Sequence, residues 1–255
     1  MSKHDKFILS PMINILEDAL TACSPCGSGM ETFPLCEYVM QSVFLKMTGF
    51  NEQKLKCILW ELATDDYEFR YTFLKDRDYG ECSLYKDKNN VFKMLISFVT
   101  DKKECEIVTD TAKSDLLQEI KNQCSTLFNI SIMKIWLPKE YENYKKFINC
   151  DLVGQLLIKN ENKKDKDVIT TYNLFQDKAS LKDKKNNIKD AFEKLYHQRN
   201  RYAHNSLSYQ NNLPTLDTLI EDDYNYENWF IRFFILILID TIFIRLYKEY
   251  ITLAV

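Results

Sequence analysis

The chain has 255 residues, 45% of them hydrophobic, which is enough for one large domain or for a domain with a sizeable insertion. Its 5 Gly and 5 Pro are too few for an all-β sandwich with many tight turns. The net charge of −3 excludes a globally basic nucleic-acid-binding protein. Binding of RNA would therefore require a local basic surface or contacts made mainly at an active site.

The N-terminal part of the chain, residues 1–77, has the apolar periodicity of α-helices. An amphipathic helix is predicted over 7–21. Two longer helices are predicted over 31–47 and 51–76, with a break around Gly49. These helices are expected to form the first part of a helical bundle.

The eight cysteines are expected to remain free thiols. The N-terminus lacks the apolar core of a secretory signal, which predicts reduced thiols in a cytoplasmic protein. Cys23 and Cys26, in a loop predicted over 22–30, have the spacing of half a zinc-binding motif, and Cys36 follows ten residues later. No second Cys-x-x-Cys or His pair would complete four ligands, so free thiols are favoured over structural zinc. No metal or cofactor is predicted.

The sequence pattern changes over 78–150, which we predict to be an insertion with a small mixed α/β element. A helix is predicted over 114–126. Short runs typical of strands occur at 82–85, 91–99, 105–109 and 129–136. A helix remains the alternative for 91–99.

A lysine-rich polar segment lies between residues 160 and 189. Acidic residues are interspersed among its lysines, which is typical of a solvated surface. The alternative is an electrostatic guide for an RNA backbone, whose contribution would decrease as the salt concentration rises.

Arg199, Asn200 and His204 lie within six residues, where an amphipathic helix is predicted to end. Arg can form two parallel hydrogen bonds with a phosphate, and the ordinary pKa of His lets it donate and accept protons near neutrality. The combination suggests cleavage of a phosphodiester without a metal ion. The alternative is that Arg and His only satisfy the last carbonyls and the negative end of the helix dipole.

The final predicted helix, over 229–247, is apolar around nearly its whole circumference. Arg232, Asp240 and Arg245 interrupt it, and charges near the centre of a membrane span each cost about 2.5–3.5 kcal/mol. A helix that is apolar on all sides is otherwise expected to be buried. We therefore predict a core or interface helix and no association with a membrane.

The pattern of Arg199, Asn200 and His204 at the end of a long helix resembles the signature of the HEPN superfamily. The resemblance covers 172–254 and, more loosely, 31–76. It implies a mainly α protein, a HEPN-like helical bundle that surrounds the predicted insertion. The C-terminal part of that bundle, which carries the motif, corresponds to 151–255.

The resemblance also implies an activity. HEPN ribonucleases usually dimerise, bring two Arg–His motifs into one cleft and need no metal. In this chain His204 would be the acid or base, Arg199 would neutralise the phosphate, and Asn200 would orient His204 or a phosphate oxygen. Attack by the RNA 2′-OH would leave a 2′,3′-cyclic phosphate and a 5′-hydroxyl.

Residues near the motif have more than one interpretation. Arg201 could add a phosphate contact and Tyr202 could stack on a base, or both could be ordinary surface and core residues. Glu61 and Asp65 are candidate partners for His204. Ser206 stands where HEPN toxins paired with nucleotidyltransferases commonly carry a modified Tyr, so this form of regulation is not expected.

The expected function is a cytoplasmic, homodimeric endoribonuclease in a toxin or antiphage-defence role. An RNA substrate and a regulatory, antitoxin or defence partner protein are the expected binding partners. The alternative is a non-catalytic HEPN-like module that binds RNA or nucleotide or assembles with another protein.

Overall fold

A computed structural model describes residues 3–75, 82–100, 110–149, 188–204 and 228–254. Within these ranges all regular secondary structure is helical, which confirms the prediction of a mainly α protein. A single 3₁₀ turn, Met30–Thr32, precedes the third α-helix. The described α-helices are α1 (Lys3–Ile8), α2 (Ile13–Ala22), α3 (Phe33–Asp65), α4 (Tyr67–Lys75), α5 (Tyr85–Thr100), α6 (Asp110–Ile130), α7 (Ile132–Trp136), α8 (Pro138–Ile148), α9 (Ile188–His204) and α10 (Trp229–Ala254).

Helix α10 is the central element of the core. Every side chain from Trp229 to Ile239 is buried, and α3, α5, α6 and α8 pack around the helix. Arg232 and Asp240 are also buried, with 3% and 2% of their surface exposed. This burial confirms the prediction of a core helix. Within the described ranges, no helix combines the length and the apolar character that crossing a membrane requires.

Two of the strands predicted within 78–150 are wrong. Residues 91–99 lie inside α5, and 129–136 comprise the end of α6 and the whole of α7. Within 91–99, the buried residues recur at helical spacing on the helix that packs against α10; they are Val91, Phe92, Leu95, Ile96 and Val99. Packing of this apolar face outweighs the strand preference of its β-branched and aromatic side chains.

The other two predicted strand segments have different outcomes. Residues 82–85 lead into α5 without forming a strand, and 105–109 lie outside the described residues. The described helices of the predicted insertion bury side chains in the same hydrophobic core as α3 and α10.

Helix α3 is continuous, so the break predicted around Gly49 is wrong. Gly in a helix interior costs only about 1 kcal/mol relative to Ala. Buried side chains on both sides of Gly49, including Phe44, Met47 and Leu55, keep one face of the helix packed and offset this cost. The helix predicted over 7–21 is instead two helices, α1 and α2, separated at Pro11.

A buried ion pair joins α3, α10 and the turn between α1 and α2. Lys54 Nζ lies 2.5 Å from Asp240 Oδ1 and also donates to the Ser10 carbonyl oxygen at 2.7 Å. The Met12 N–H donates to Asp240 Oδ2 at 2.8 Å. Burial lowers the pKa of Lys54 and raises that of Asp240, and the opposite charge of each partner counteracts the shift. The two buried charges therefore neutralise each other and also provide hydrogen-bond partners for the backbone groups of Ser10 and Met12.

Candidate functional site

Helix α9 carries the Arg-Asn-x-x-x-His motif and runs antiparallel to α3. Tyr196 Oη donates to Glu52 Oε1 at 3.1 Å. Tyr202 lies further along α9, and its ring packs edge to face against Phe44, which lies earlier on α3, with 6.2 Å between the ring centroids. The motif therefore faces the middle and the N-terminal half of α3, from Glu52 towards Phe44.

Arg199 belongs to the inward-facing stripe of α9. Among the side chains of α9 that the structure describes, the buried ones are Phe192, Leu195, Tyr196 and Tyr202, and helical spacing places Arg199 between the last two. A guanidinium at such a position is stable only with a counter-charge or hydrogen-bond partners close by. Helical periodicity thus indicates that Arg199 contacts other parts of the protein.

Glu52 on α3 provides the counter-charge for Arg199. Arg199 Nη2 lies 3.4 Å from Glu52 Oε2, and Nη1 donates to Asn200 Oδ1 at 3.1 Å. The guanidinium carbon also lies 5.5 Å from the centroid of the Tyr196 ring. A carboxylate, an amide and an aromatic ring therefore orient the guanidinium.

The Arg199 guanidinium is not fully enclosed. Its side chain is 23% exposed, compared with 11% for that of Glu52. Arg199 Nε is buried and has no hydrogen-bond partner among the described residues. Arg199 is therefore held in one orientation while part of its side chain remains accessible to solvent.

Lys88 on α5 is a second cation beside Glu52. It is 2% exposed, and its Nζ donates to the carbonyl oxygens of Cys82 at 2.7 Å and Ser83 at 3.2 Å. Burial lowers the pKa of Lys88 to about 8; attraction by Glu52 opposes this shift, and repulsion by Arg199 adds to it. The Asp87 carboxylate also attracts Lys88, so Glu52 and Asp87 together balance the charges of Lys88 and Arg199.

Asn200 and His204 lie on the last turns of α9. Asn200 is joined to Arg199 by the hydrogen bond described above and is partly exposed. His204 is the final residue of the helix, about one turn after Asn200 at 3.6 residues per turn. The structure therefore brings Arg199 and Asn200 into direct contact and places His204 close to them along the chain.

Tyr202 is a core residue in this structure. Its ring stacks on Trp229 at 5.9 Å between centroids, and its hydroxyl accepts a hydrogen bond from Arg232 Nη1 at 3.3 Å. The residue is 9% exposed, so its ring would have to leave this packing before it could stack on a base. Arg201 is partly exposed.

The two carboxylates predicted as partners of His204 make other contacts. Glu61 Oε1 lies 2.5 Å from His4 Nδ1, and the Tyr250 hydroxyl donates to Asp65 Oδ2 at 2.6 Å. Both acids lie towards the C-terminus of α3, whereas the antiparallel α9 carries His204 in the opposite direction. The structure thus associates Glu52, rather than Glu61 or Asp65, with the motif.

Several predicted features lie wholly or partly outside the described residues. The lysine-rich segment, except for its end at 188–189, and Ser206 are among them. The described cysteines, Cys23, Cys26, Cys36, Cys57, Cys82 and Cys124, are free thiols. In the part of the chain that the structure describes, no three His, Cys, Asp or Glu side chains cluster as a metal site would require.

No protein-family model, curated protein or solved structure matches this chain. The chemistry of the site is therefore inferred from its own residues and contacts.

Replacing Glu52 with Gln is expected to lower the free energy of unfolding by about 1.5–3 kcal/mol, the range for hydrogen bonds to charged groups. The change removes the carboxylate that partners Arg199 and lies beside buried Lys88. Urea denaturation followed by circular dichroism measures the effect. Glu17→Gln, on the exposed face of α2, is the matched control and should change stability by less than about 0.5 kcal/mol. Equal effects of the two substitutions would contradict a supporting role for Glu52.

Proposed function

We propose that this protein is a metal-independent endoribonuclease of the HEPN type that acts as a cytoplasmic homodimer on RNA. The observation that carries the proposal is the arrangement of Arg199 on α9. Its guanidinium is oriented by Glu52 and Asn200 but remains partly exposed, in the same helix end that carries His204.

Arg199 supplies the interaction with the phosphate. A guanidinium held in a fixed orientation can stabilise the charge that develops on phosphate oxygens during cleavage, because little reorganisation is needed at the moment of reaction. Asn200 fixes the orientation of the guanidinium through its Oδ1.

His204 supplies proton transfer. Cleavage by the 2′-OH requires a base for that hydroxyl and an acid for the departing 5′-oxygen. One copy of the chain provides one motif imidazole, so a two-fold dimer that faces two motifs towards one cleft provides both groups. The resemblance to HEPN proteins supports this composite site and a role in toxin or antiphage systems, with a further protein as regulator.

The wild-type protein is expected to cleave total bacterial RNA in excess EDTA. Because the attacking group is the 2′-OH, the products should carry 2′,3′-cyclic phosphate and 5′-hydroxyl ends. These ends are identified by ligation with enzymes that accept only one type of terminus. Cleavage that needs a divalent ion, or that leaves 5′-phosphates, would contradict the proposal.

A non-catalytic RNA-binding module is the second candidate. The observation that favours it is the Arg199–Glu52 ion pair, which gives Arg199 a structural partner without any substrate. This candidate predicts that RNA binds with an affinity that decreases as salt increases and is recovered intact. A labelled RNA incubated with the protein in EDTA distinguishes the two, because binding and chain length are measured on the same sample.

A further inference from the structure

The turn Cys23-Ser-Pro-Cys26, which follows α2, holds two cysteines at a short distance. The Cys23 N–H donates to the Ala19 carbonyl oxygen at 3.1 Å and so closes the helix end. The Cys26 N–H then donates to the Cys23 carbonyl oxygen at 2.9 Å. Such a hydrogen-bonded turn keeps its first and last Cα atoms within about 7 Å. A disulfide needs a Cα separation of about 4.4–6.8 Å, so the backbone is already close to this requirement.

The two thiols also interact with each other and are accessible. The thiols of Cys23 and Cys26 are within hydrogen-bonding reach of one another, and both residues are partly exposed. The other described cysteines, Cys36, Cys57, Cys82 and Cys124, are buried. A small oxidant can therefore reach this pair more easily than any other described thiol.

Cys36 is the nearest alternative partner, because it lies close enough to Cys23 for their charges to interact. It is 2% exposed, and burial raises its pKa to about 12, with Glu37 and Glu140 adding to the shift. Burial also raises the pKa of Cys23, but that thiol is partly exposed, whereas Cys36 is both protonated and enclosed and is therefore the poorer nucleophile. Oxidation should therefore join Cys23 to Cys26 and leave Cys36 reduced.

Neighbouring contacts restrict the motion of the turn. The indole N–H of Trp136, on α7, donates to the carbonyl oxygen of Gly27, immediately after Cys26. Pro25 fixes its own backbone φ angle. Little conformational freedom therefore remains to be lost when the two sulfurs are joined.

We propose that Cys23 and Cys26 form a reversible redox site that accepts electrons from thiols and donates them to low-molecular-weight disulfides. One protein thiolate attacks the oxidant disulfide, forms a mixed disulfide and releases one small thiol. The second cysteine, after losing its proton, attacks the mixed disulfide, forms the Cys23–Cys26 bond and releases the second small thiol. Two protein thiols thus lose two electrons and two protons, and one oxidant disulfide becomes two thiols. This site is independent of the proposed nuclease activity.

The test uses the full-length protein, equilibrated with mixtures of reduced and oxidised glutathione. The sample is acidified, its free thiols are blocked with N-ethylmaleimide in denaturant, and the chain is cleaved after glutamate. Residues 18–31 then carry Cys23 and Cys26 on one fragment, and 32–37 carry Cys36 on another. Mass spectrometry should show fragment 18–31 unblocked and two hydrogens lighter in oxidising mixtures, and doubly blocked in reducing ones. Fragment 32–37 should be blocked throughout.

Two variants separate the pair from its neighbour. Cys36→Ser should leave the disulfide unchanged, whereas Cys26→Ser should abolish it and leave a glutathione adduct on Cys23; circular dichroism confirms that both variants are folded. Three results in the wild type would overturn the proposal: a doubly blocked fragment 18–31 in every mixture, a covalent link between the two fragments, or a stable glutathione adduct without the internal disulfide.

Discussion

Replacing His204 with Ala is expected to lower the rate of RNA cleavage by about 10²–10⁴-fold, the contribution typical of general acid–base catalysis. The substitution removes the imidazole at the end of α9 that we propose transfers protons to and from the RNA oxygens. Initial rates on a defined RNA in EDTA measure the effect. Circular dichroism verifies that the variant is folded.

The same helix offers a matched control. His197→Ala removes an exposed imidazole seven residues earlier and should leave the rate within about twofold of wild type, as expected of a surface substitution away from the site. Equal losses in both variants would show that the effect concerns α9 as a whole. Unchanged cleavage by His204→Ala would exclude it as the acid or base.

Arg199 requires a different substitution because it also partners Glu52. Arg199→Lys keeps the positive charge but loses the planar fork that can bind a phosphate through two hydrogen bonds. We expect a loss of about 10²–10³-fold in rate, the size measured when one donor to a developing oxyanion is removed. Retention of full activity would indicate that only the charge of Arg199 matters.

Replacing Asp240 with Ala is expected to lower the free energy of unfolding by about 3–5 kcal/mol, the cost of removing one partner of a buried ion pair. Lys54 is fully buried, and without Asp240 its ammonium group would still donate to the Ser10 carbonyl oxygen but would lose its counter-charge. The Met12 N–H would also lose its acceptor. Urea denaturation gives the change in stability.

Two further variants test the cause of this loss. The double variant Lys54→Met, Asp240→Asn removes both charges and keeps an amide oxygen for the Met12 N–H, so it should lose less stability than Asp240→Ala. Lys46→Met, on the exposed face of α3, is the matched control and should change stability by less than about 0.5 kcal/mol. A double variant as unstable as Asp240→Ala would show that packing, rather than an unpaired charge, causes the loss.

Local pattern is sufficient to predict the two described helices in the C-terminal part of the chain. The apolar character of 229–247 predicts a buried helix, and the amphipathic run that begins at Ile188 predicts the helix that ends at His204. Both signals depend on residues within a few turns of one another. The same local criterion fails at 91–99, because the β-branched and aromatic residues there also suit a strand, and only the packing of α5 on α10 selects the helix.

The residues of the motif are visible in the sequence because they are close together along the chain. Arg199, Asn200 and His204 lie within six positions, so their types and spacing are enough to suggest phosphodiester chemistry. These three residues can therefore be identified from the sequence without any knowledge of the tertiary structure.

The surroundings of the motif, in contrast, depend on how distant helices pack. Glu52 lies 147 residues before Arg199 and falls off the main apolar stripe of its helix, yet the antiparallel packing of α9 on α3 buries it beside the guanidinium. Lys88 joins them only because α5 packs beside both helices. The half-buried guanidinium of Arg199 needs a counter-charge, and α3 carries several acidic residues that could provide it. The register between α9 and α3 determines that Glu52 is the one that does.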